Sequence, residues 1–392
     1  MDQARIQDAI RGAGLDGWLF FDFRRSNLLA YRVLGMPEDG FYTRRWFYFV
    51  PAQGDPTAII SSVEPHVLRE LPGKRQVFRS WEELHRLLGE TLQGAHTLAM
   101  EYSPLNAIPT MARVDAGTVE LVRSLGKEIV SSANLMQRFV AVLSQARMEM
   151  HREAGRRLMT IKDAMLATVA QQIRAGEAIN EYSVQQDFLG RIHAAGLITE
   201  GAPIIAINAH AGDPHYGPSA QEHAPIREGD LLLLDFWARL PQSDSVFADY
   251  TWTTFVGARA PEKQARVFEI VRQARDRGIS FLREHVEQGK PVQGWQVDDA
   301  VRAVIQEAGY GDYYVHRTGH SITTVEHGDG ANLDNLETHD EREILAETCC
   351  SIEPGIYLPE FGVRSEINVL VHADNVEITG VPMQEHLIPL LA

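Results

Sequence analysis

The residues in this chain that could do chemistry gather in one histidine-rich stretch and two acidic segments. The stretch is His316-Arg317-Thr318-Gly319-His320, with His327 seven residues further on. Three imidazoles within twelve residues, broken by a glycine and followed by Ser321, Thr323 and Thr324, lack the Leu, Val and Ile content of a core element. They offer neutral nitrogen ligands, or groups that move protons near neutral pH. Alone, such histidines are equally consistent with a polar surface; their neighbours change the reading. Asp235 interrupts an apolar run that begins Leu231-Leu232-Leu233-Leu234, where a carboxylate is costly to bury without a partner. Asp249 lies in the returning segment Ala248-Asp249-Tyr250-Thr251, Glu353 ends Cys349-Cys350-Ser351-Ile352, and Glu366 lies in Arg364-Ser365-Glu366-Ile367. Two acids facing each other across paired strands repel unless a cation sits between them. Four carboxylates and His320 make an oxygen-rich set suited to two divalent ions that share carboxylates. No thiolate belongs to it, which argues against a purely structural zinc site. Any single acid could be a solvated strand end or half of a salt bridge; the set as a whole reads otherwise.

These residues need strands to carry them. Leu231–Trp237 reads as a strand, Pro241–Ser245 as a loop and Val246–Val256 as the returning strand. Thr348–Ile352 and Arg364–Val371 read as a second pair, joined through Pro354-Gly355 and Gly362. Helices are expected at Ala146–Ile173, where Met150, Leu158, Ile161, Met165 and Val169 recur at helical spacing, and at Asn180–Ala195, Pro261–Val286 and Val297–Glu307. Ahead of them, residues 1–140 alternate helix-like and strand-like pieces. Helices are expected at Asp2–Arg11 and Ser80–Leu92, and strands at Gly17–Phe21, Trp46–Val50, Thr57–Ser61, Gln76–Phe78, Thr97–Met100 and Val119–Val122. The chain of 392 residues is too long for one ordinary core, so two domains are expected, 1–140 and 141–392, in a mixed α/β (α+β) class.

Composition narrows the partners. A formal net charge of −16 disfavours nucleic acid and anionic membrane, both of which need basic surface. The longest apolar runs are far shorter than a membrane span, and the acid-containing start MDQARIQDAIRGAG has no apolar signal core. The two cysteines are adjacent, Cys349 and Cys350, and read as buried free thiols rather than a disulfide framework. A cytoplasmic location follows as an expectation.

Asp235, Asp249, the Gly319-His320 pair, the Glu353-Pro354-Gly355 turn and the Arg364-x-Glu366 strand together resemble the five-ligand pattern of the pita-bread metallopeptidases, most of all the Xaa-Pro dipeptidases (prolidases) and aminopeptidases P. Ser26-Asn27-Leu28-Leu29-Ala30-Tyr31 extends the resemblance to a creatinase-like N-terminal domain, so that it covers the whole chain. The resemblance implies two divalent ions per subunit (Mn2+, Zn2+ or Co2+), held by Asp235, Asp249, His320, Glu353 and Glu366. It implies a water bridging the ions as nucleophile, with Glu353 as proton acceptor. His327 and His215 would contact the scissile carbonyl, His316 would line the proline pocket, Arg364 would orient substrate or Glu366, and Thr251 would support the ligands. The implied substrate is a proline-containing dipeptide or short peptide, cleaved before proline, and the implied assembly is a homodimer, with Pro37–Arg45 reaching toward a neighbour. The alternatives are an aminopeptidase P, a hydrolase or lyase acting on a non-peptide bond on the same fold, and a non-catalytic interaction protein.

The chain also departs from the pattern. Trp252 stands where an Arg usually follows Asp-x-Thr, Phe236-Trp237 where x-Gly follows the first Asp, and His339, with Arg342 nearby, where an Arg usually precedes the Glu-Pro-Gly turn. The grip on a substrate carboxylate is therefore expected to fall to Arg364, Arg342, His316 or His339. Trp252 either narrows the pocket or packs in the core.

Overall fold

The computed structural model describes residues 1–392 and divides into two compact units, Met1–Val140 and Ala141–Ala392. No helix is long and apolar enough to cross a membrane.

The first unit is built on a six-stranded sheet in the order β4-β3-β2-β1-β5-β6. The strands are β1 (Gly17–Asp22), β2 (Trp46–Pro51), β3 (Thr57–Ser61), β4 (Lys74–Phe78), β5 (Thr97–Met100) and β6 (Glu128–Ser131). Its helices are α1 (Gln3–Gly12), α2 (Leu28–Leu34), α3 (Trp81–Thr91), α4 (Ala116–Ser124) and α5 (Ala133–Val140). Strands β1, β2 and β3 are buried almost throughout, and successive residues feed opposite cores: Trp18 and Phe20 on one face, Leu19 and Phe21 on the other. The expected strand Val119–Val122 is instead the middle of α4. Asp115 caps that helix, accepting from the Thr118 amide at 2.9 Å and the Thr118 hydroxyl at 2.7 Å. Val119 and Val122 share one buried helical face, so the local cap and a three-residue period outweigh the strand preference of valine.

The second unit has two four-stranded sheets, each backed by a helix pair, and two two-stranded ones. Helix α6 (Gln145–Arg174) leads through the short strand β7 (Ile179–Asn180) to α7 (Glu181–Ala194). Strand β8 (Ile204–Ile207), the short β9 (Pro225–Ile226), β10 (Leu231–Ala238) and β11 (Ala248–Phe255) follow, then α8 (Glu262–Glu287) and α9 (Gly294–Glu307). The chain ends with β12 (Ser321–Ile322), β13 (Thr348–Ile352), β14 (Gly355–Tyr357), β15 (Gly362–Arg364), β16 (Ile367–Val371), β17 (Val376–Thr379) and β18 (Ile388–Pro389). One sheet runs β18-β11-β10-β8 and the other β12-β13-β16-β17.

Strand parity decides which side chains meet. Leu232, Leu234 and Phe236 of β10, with Tyr250 and Trp252 of β11, pack in one core with Leu158, Met165 and Val169 of α6 and Val184, Phe188 and Ile192 of α7. Asp235 and Trp237 lie on the other face of β10. In the antiparallel register Asp235 stands opposite Thr251 and Trp237 opposite Asp249, so these four residues share that face. Trp252 therefore points away from the acids. It is buried against α6, with the Lys162 Nζ 3.4 Å from its ring centroid, a cation–π contact that answers the pocket-or-core question in favour of core.

The second sheet packs Cys350 and Ile352 of β13 and Ile367 and Val369 of β16 against Ile279 and Leu282 of α8 and Val297 of α9. The stretch expected to form one strand, Arg364–Val371, is broken at Ser365-Glu366. There the Ser365 amide donates to the Pro354 carbonyl (3.3 Å) and the Glu366 amide to the Thr251 carbonyl (3.2 Å). That break takes Glu366 out of the β13–β16 ladder and ties it to β11, the strand that carries Asp249.

Candidate metal and catalytic site

Each acid is delivered by a different feature of the second unit. Asp235 and Asp249 project from one face of β10–β11. Glu353 and Glu366 lie just beyond the last rung of β13–β16, Ile352 opposite Ile367. The histidine stretch is held from below by Asp298 on α9, buried and fully engaged. It accepts from the Thr318 amide (2.9 Å) and hydroxyl (2.6 Å), from the Asn335 amide (3.0 Å) and from two nitrogens of Arg302 (3.0 Å each). Gly319 then passes so close to β13 that a Cβ would lie 2.1 Å from the Ser351 carbonyl oxygen, which only glycine allows. The next residue, His320, donates its amide to the Ser351 hydroxyl (2.9 Å) and turns its ring into the acids.

Asp235, Asp249, His320, Glu353, Glu366, His215, His316, His327 and Arg364 all line one cavity of about 420 Å3. Within it Asp249, His320 and Glu366 bring one ligand atom each within 4.8 Å of one another. The His320 Nε2 lies 3.6 Å from Asp249 Oδ2 and 3.4 Å from Glu353 Oε1. Its Nδ1 faces the Ser321 carbonyl at 3.2 Å, which puts the proton there and leaves the Nε2 lone pair toward the carboxylates. Burial, above all, pushes His320 down to about 3, so the ring is neutral.

The carboxylates are short of donors. Asp249 Oδ1 and Glu366 Oε1 are buried and accept no hydrogen bond. Glu366 Oε2 accepts only from the Thr251 hydroxyl (2.8 Å). Burial first, then repulsion from Glu366, drives Asp249 well above the ordinary carboxylate range; burial and Glu353 do the same to Glu366. Burial also raises Asp235, against the pull of Arg364. Glu353 differs. Burial would raise it too, but its interactions with the His320 and His316 rings and with the guanidinium groups of Arg364 and Arg317 outweigh burial and hold it low. A divalent cation is the group this donor set fits: hard oxygen atoms, one neutral imidazole, and two buried carboxylate oxygens without donors.

Around the acids, Arg364 pairs with Asp235 and donates to the Thr251 hydroxyl and the Tyr357 hydroxyl, each at 3.0 Å. Its guanidinium is thus committed within the protein. Both ring nitrogens of His316 are engaged, with the Arg317 carbonyl (2.6 Å) and the Tyr357 hydroxyl (2.7 Å), and burial pushes it down to about 4. His316 is a neutral wall. His327 and His215 are exposed at the cavity mouth, and the His327 ring packs edge-on to His320 with centroids 4.3 Å apart.

Two residues expected as carboxylate grips are elsewhere. Arg342 is buried and forked onto Asp340 (2.9 and 2.7 Å), with a further bond to the Asp329 carbonyl. His339 is exposed, bonded to Asn335 and packed on Trp295. Neither lines the cavity. The cavity wall instead includes Trp237, Arg317, Glu326 and Glu337, none of them in the expected site set. The signal for two of them was adjacency: Arg317 sits inside the histidine stretch, and Glu326 precedes His327. Cys349 and Cys350 are buried free thiols.

The model of metallopeptidase family M24 matches residues 150–373. The chain is 26% identical over 349 residues to a probable dipeptidase PepE of Mycobacterium bovis, covering 87% of this chain and 85% of that protein. It is 30% identical over 213 residues to a Xaa-Pro dipeptidase of Pyrococcus furiosus, covering 54% and 56% respectively. The crystal structure of dipeptidase PepE from Mycobacterium ulcerans superposes with a TM-score of 0.70 at 23% identity, covering 99% of this chain and 96% of that one, so the two share the pita-bread fold. With the acid-lined cavity inside the matched residues, the chain belongs to metallopeptidase family M24.

Proposed function

We propose that this protein is a dinuclear metal-dependent dipeptidase that cleaves the peptide bond preceding proline in Xaa-Pro dipeptides. The observation that carries the reading is the pair of buried carboxylate oxygens without donors, Asp249 Oδ1 and Glu366 Oε1, in a cavity that also holds Asp235, His320 and Glu353. Asp235 and Asp249 would hold one ion, and Asp249, His320, Glu353 and Glu366 the other. Divalent ions there would supply Lewis acidity toward a carbonyl and lower the pKa of water.

The chain's own residues account for the rest. Glu353, ionised and steadied by the Ser351 hydroxyl at 3.0 Å, takes the proton from the attacking water and passes it to the departing proline nitrogen. His327 and His215, at the mouth, hydrogen-bond the scissile carbonyl as it gains negative charge. His316 and Trp237 wall the side that receives the proline ring. Arg364 fixes Asp235 and, through Thr251, Glu366, so its role is to orient ligands rather than to hold substrate.

An aminopeptidase P is the second reading. The cavity favours the dipeptidase because its wall carries a guanidinium, Arg317, with no partner in the protein and so available to a free carboxylate. The test is hydrolysis of Ala-Pro against Ala-Pro-Ala by chelator-treated protein with Mn2+, Zn2+ or Co2+ restored. Cleavage of Ala-Pro that requires the added ion is expected. Full activity in metal-free protein ends the dinuclear reading, and preference for the tripeptide ends the dipeptidase reading.

A further inference from the structure

Two half-buried charged side chains on the cavity wall have no opposite charge of their own. Arg317 is half-buried, and its guanidinium makes no hydrogen bond or ion pair. Glu326 is half-buried, and the one polar group near its carboxylate is the imidazole of the next residue, with His327 Nε2 at 3.5 Å. The two do not pair with each other. Arg317 acts on His320, His327 and Glu353, whereas Glu326 adds to the charge around Asp249. Burial first, and then the carboxylates Asp235, Glu200 and Glu353, push Glu326 up to about 8, so it ionises fully at neutral pH only when a cation sits beside it. A half-buried carboxylate among carboxylates and a half-buried guanidinium without a protein acceptor are each open to a ligand of opposite charge.

We propose that Arg317 and Glu326 read the two ends of a zwitterionic peptide, Arg317 taking its carboxylate and Glu326 its ammonium group. This rests on the reading of the cavity as a peptidase site and deepens it. A dipeptide spans at most about 7 Å of backbone, so a cavity of about 420 Å3 can hold both of its charges. Each further residue moves the two terminal charges apart by up to about 3.5 Å. The pair therefore selects for length by charge, and Arg317 takes the place that His339 and Arg342 do not fill.

The experiment compares Ala-Pro, its C-terminal amide and its N-acetyl form on metal-reconstituted protein. Wild type, Arg317→Met and Glu326→Gln are each measured for kcat, KM and bound metal. For wild type, blocking either end should raise KM roughly 10- to 100-fold with little change in kcat, the range of a charge-assisted hydrogen bond made equally in ground and transition states. In Arg317→Met the KM for Ala-Pro should rise by that factor while the amide is unaffected, so the preference disappears. Glu326→Gln should do the same for the acetyl form. Arg317→Lys and Glu326→Asp should keep part of each preference, which a merely structural role would not produce. An amide penalty that persists in Arg317→Met, an acetyl penalty that persists in Glu326→Gln, or a loss of bound metal in Glu326→Gln overturns the proposal. If wild type hydrolyses no Xaa-Pro compound, the peptidase reading fails on its own. Calorimetric binding of Ala-Pro and its two blocked forms to the same three metal-loaded proteins then decides the charge pair by the same pattern of losses.

Discussion

Glu101 in the first unit and Glu366 in the second are both buried glutamates, and their surroundings are opposites. Glu101 accepts from the Trp18 indole (2.7 Å), the Asn27 amide (2.7 Å) and the Ser132 hydroxyl (3.1 Å), so both oxygens have donors. Glu366 has one hydroxyl on one oxygen and nothing on the other. Asp298 in the second unit follows the Glu101 pattern, with five donors. A carboxylate buried for structure comes with its own donors, because an unsatisfied one costs about 1–3 kcal/mol or more. A carboxylate left short of donors marks the place where something else is expected to bind.

The sharpest way to separate the two kinds is to remove the unsatisfied one. Glu366→Ala should lower kcat/KM by about a thousandfold, roughly 4 kcal/mol in barrier, and deplete bound metal. His327→Ala removes a group at the mouth that is not in the proposed ligand set, so it should lower activity while keeping the metal. Metal analysis of the two purified variants decides it; equal metal retention would show that Glu366 is not a ligand.

Glu101 tests the other side. Burial raises it from its ordinary 4.5 to about 7 despite its three donors. Between these values the folded chain holds the proton more tightly than the unfolded chain. Stability from this group is therefore full below about pH 4.5, falls as pH rises through about 7, and is flat above. The shift corresponds to roughly 3 kcal/mol. Urea unfolding of wild type and Glu101→Gln across this window should show wild type losing stability relative to the variant by about that amount as pH rises. A difference that stays constant with pH would mean that Glu101 does not titrate there.

The same contrast explains what could be read from the sequence. Asp235 was conspicuous because it interrupts leucines, and strand parity then puts Asp235, Asp249 and Thr251 on one face without further information. Asn27, part of the N-terminal resemblance, proves to be a structural donor: it binds Glu101 and caps α2. In the α4 segment two valines favour a strand, while the decisive cap, Asp115 to Thr118, is a local bond that the pattern does not announce. The break at Ser365-Glu366 depends on amide bonds to Pro354 and Thr251, residues distant in sequence, so no local pattern encodes it. Arg342 and Arg317 were indistinguishable by type. Only the fold shows that Asp340 occupies the first and that the second is free on the cavity wall.

The smallest expected effect has the more informative sign. In metal-free protein Asp249 lies among Glu366, Asp235, Glu326 and Glu353, with one oxygen lacking any donor. Replacing it by Asn removes a buried carboxyl that must either carry an uncompensated charge or hold a proton, and supplies an amide N–H pair beside Glu366, whose Oε1 also lacks a donor. Asp249→Asn should therefore stabilise the chelator-treated protein by about 1 kcal/mol, since relieving a poorly paired buried charge is neutral to stabilising. At a satisfied carboxylate such as Asp298 the same change would cost stability, because an amide nitrogen would face donors. Added divalent ion should reverse the order. Wild type gains by mass action, about 4 kcal/mol at a thousandfold excess over Kd, and the variant, lacking a ligand, gains less. Thermal melts of both proteins, with chelator and with Mn2+, measure the crossing. If Asp249→Asn were less stable than wild type in chelator, the donor shortage at Asp249 would not be a source of instability, and the distinction between the two kinds of buried acid would not hold.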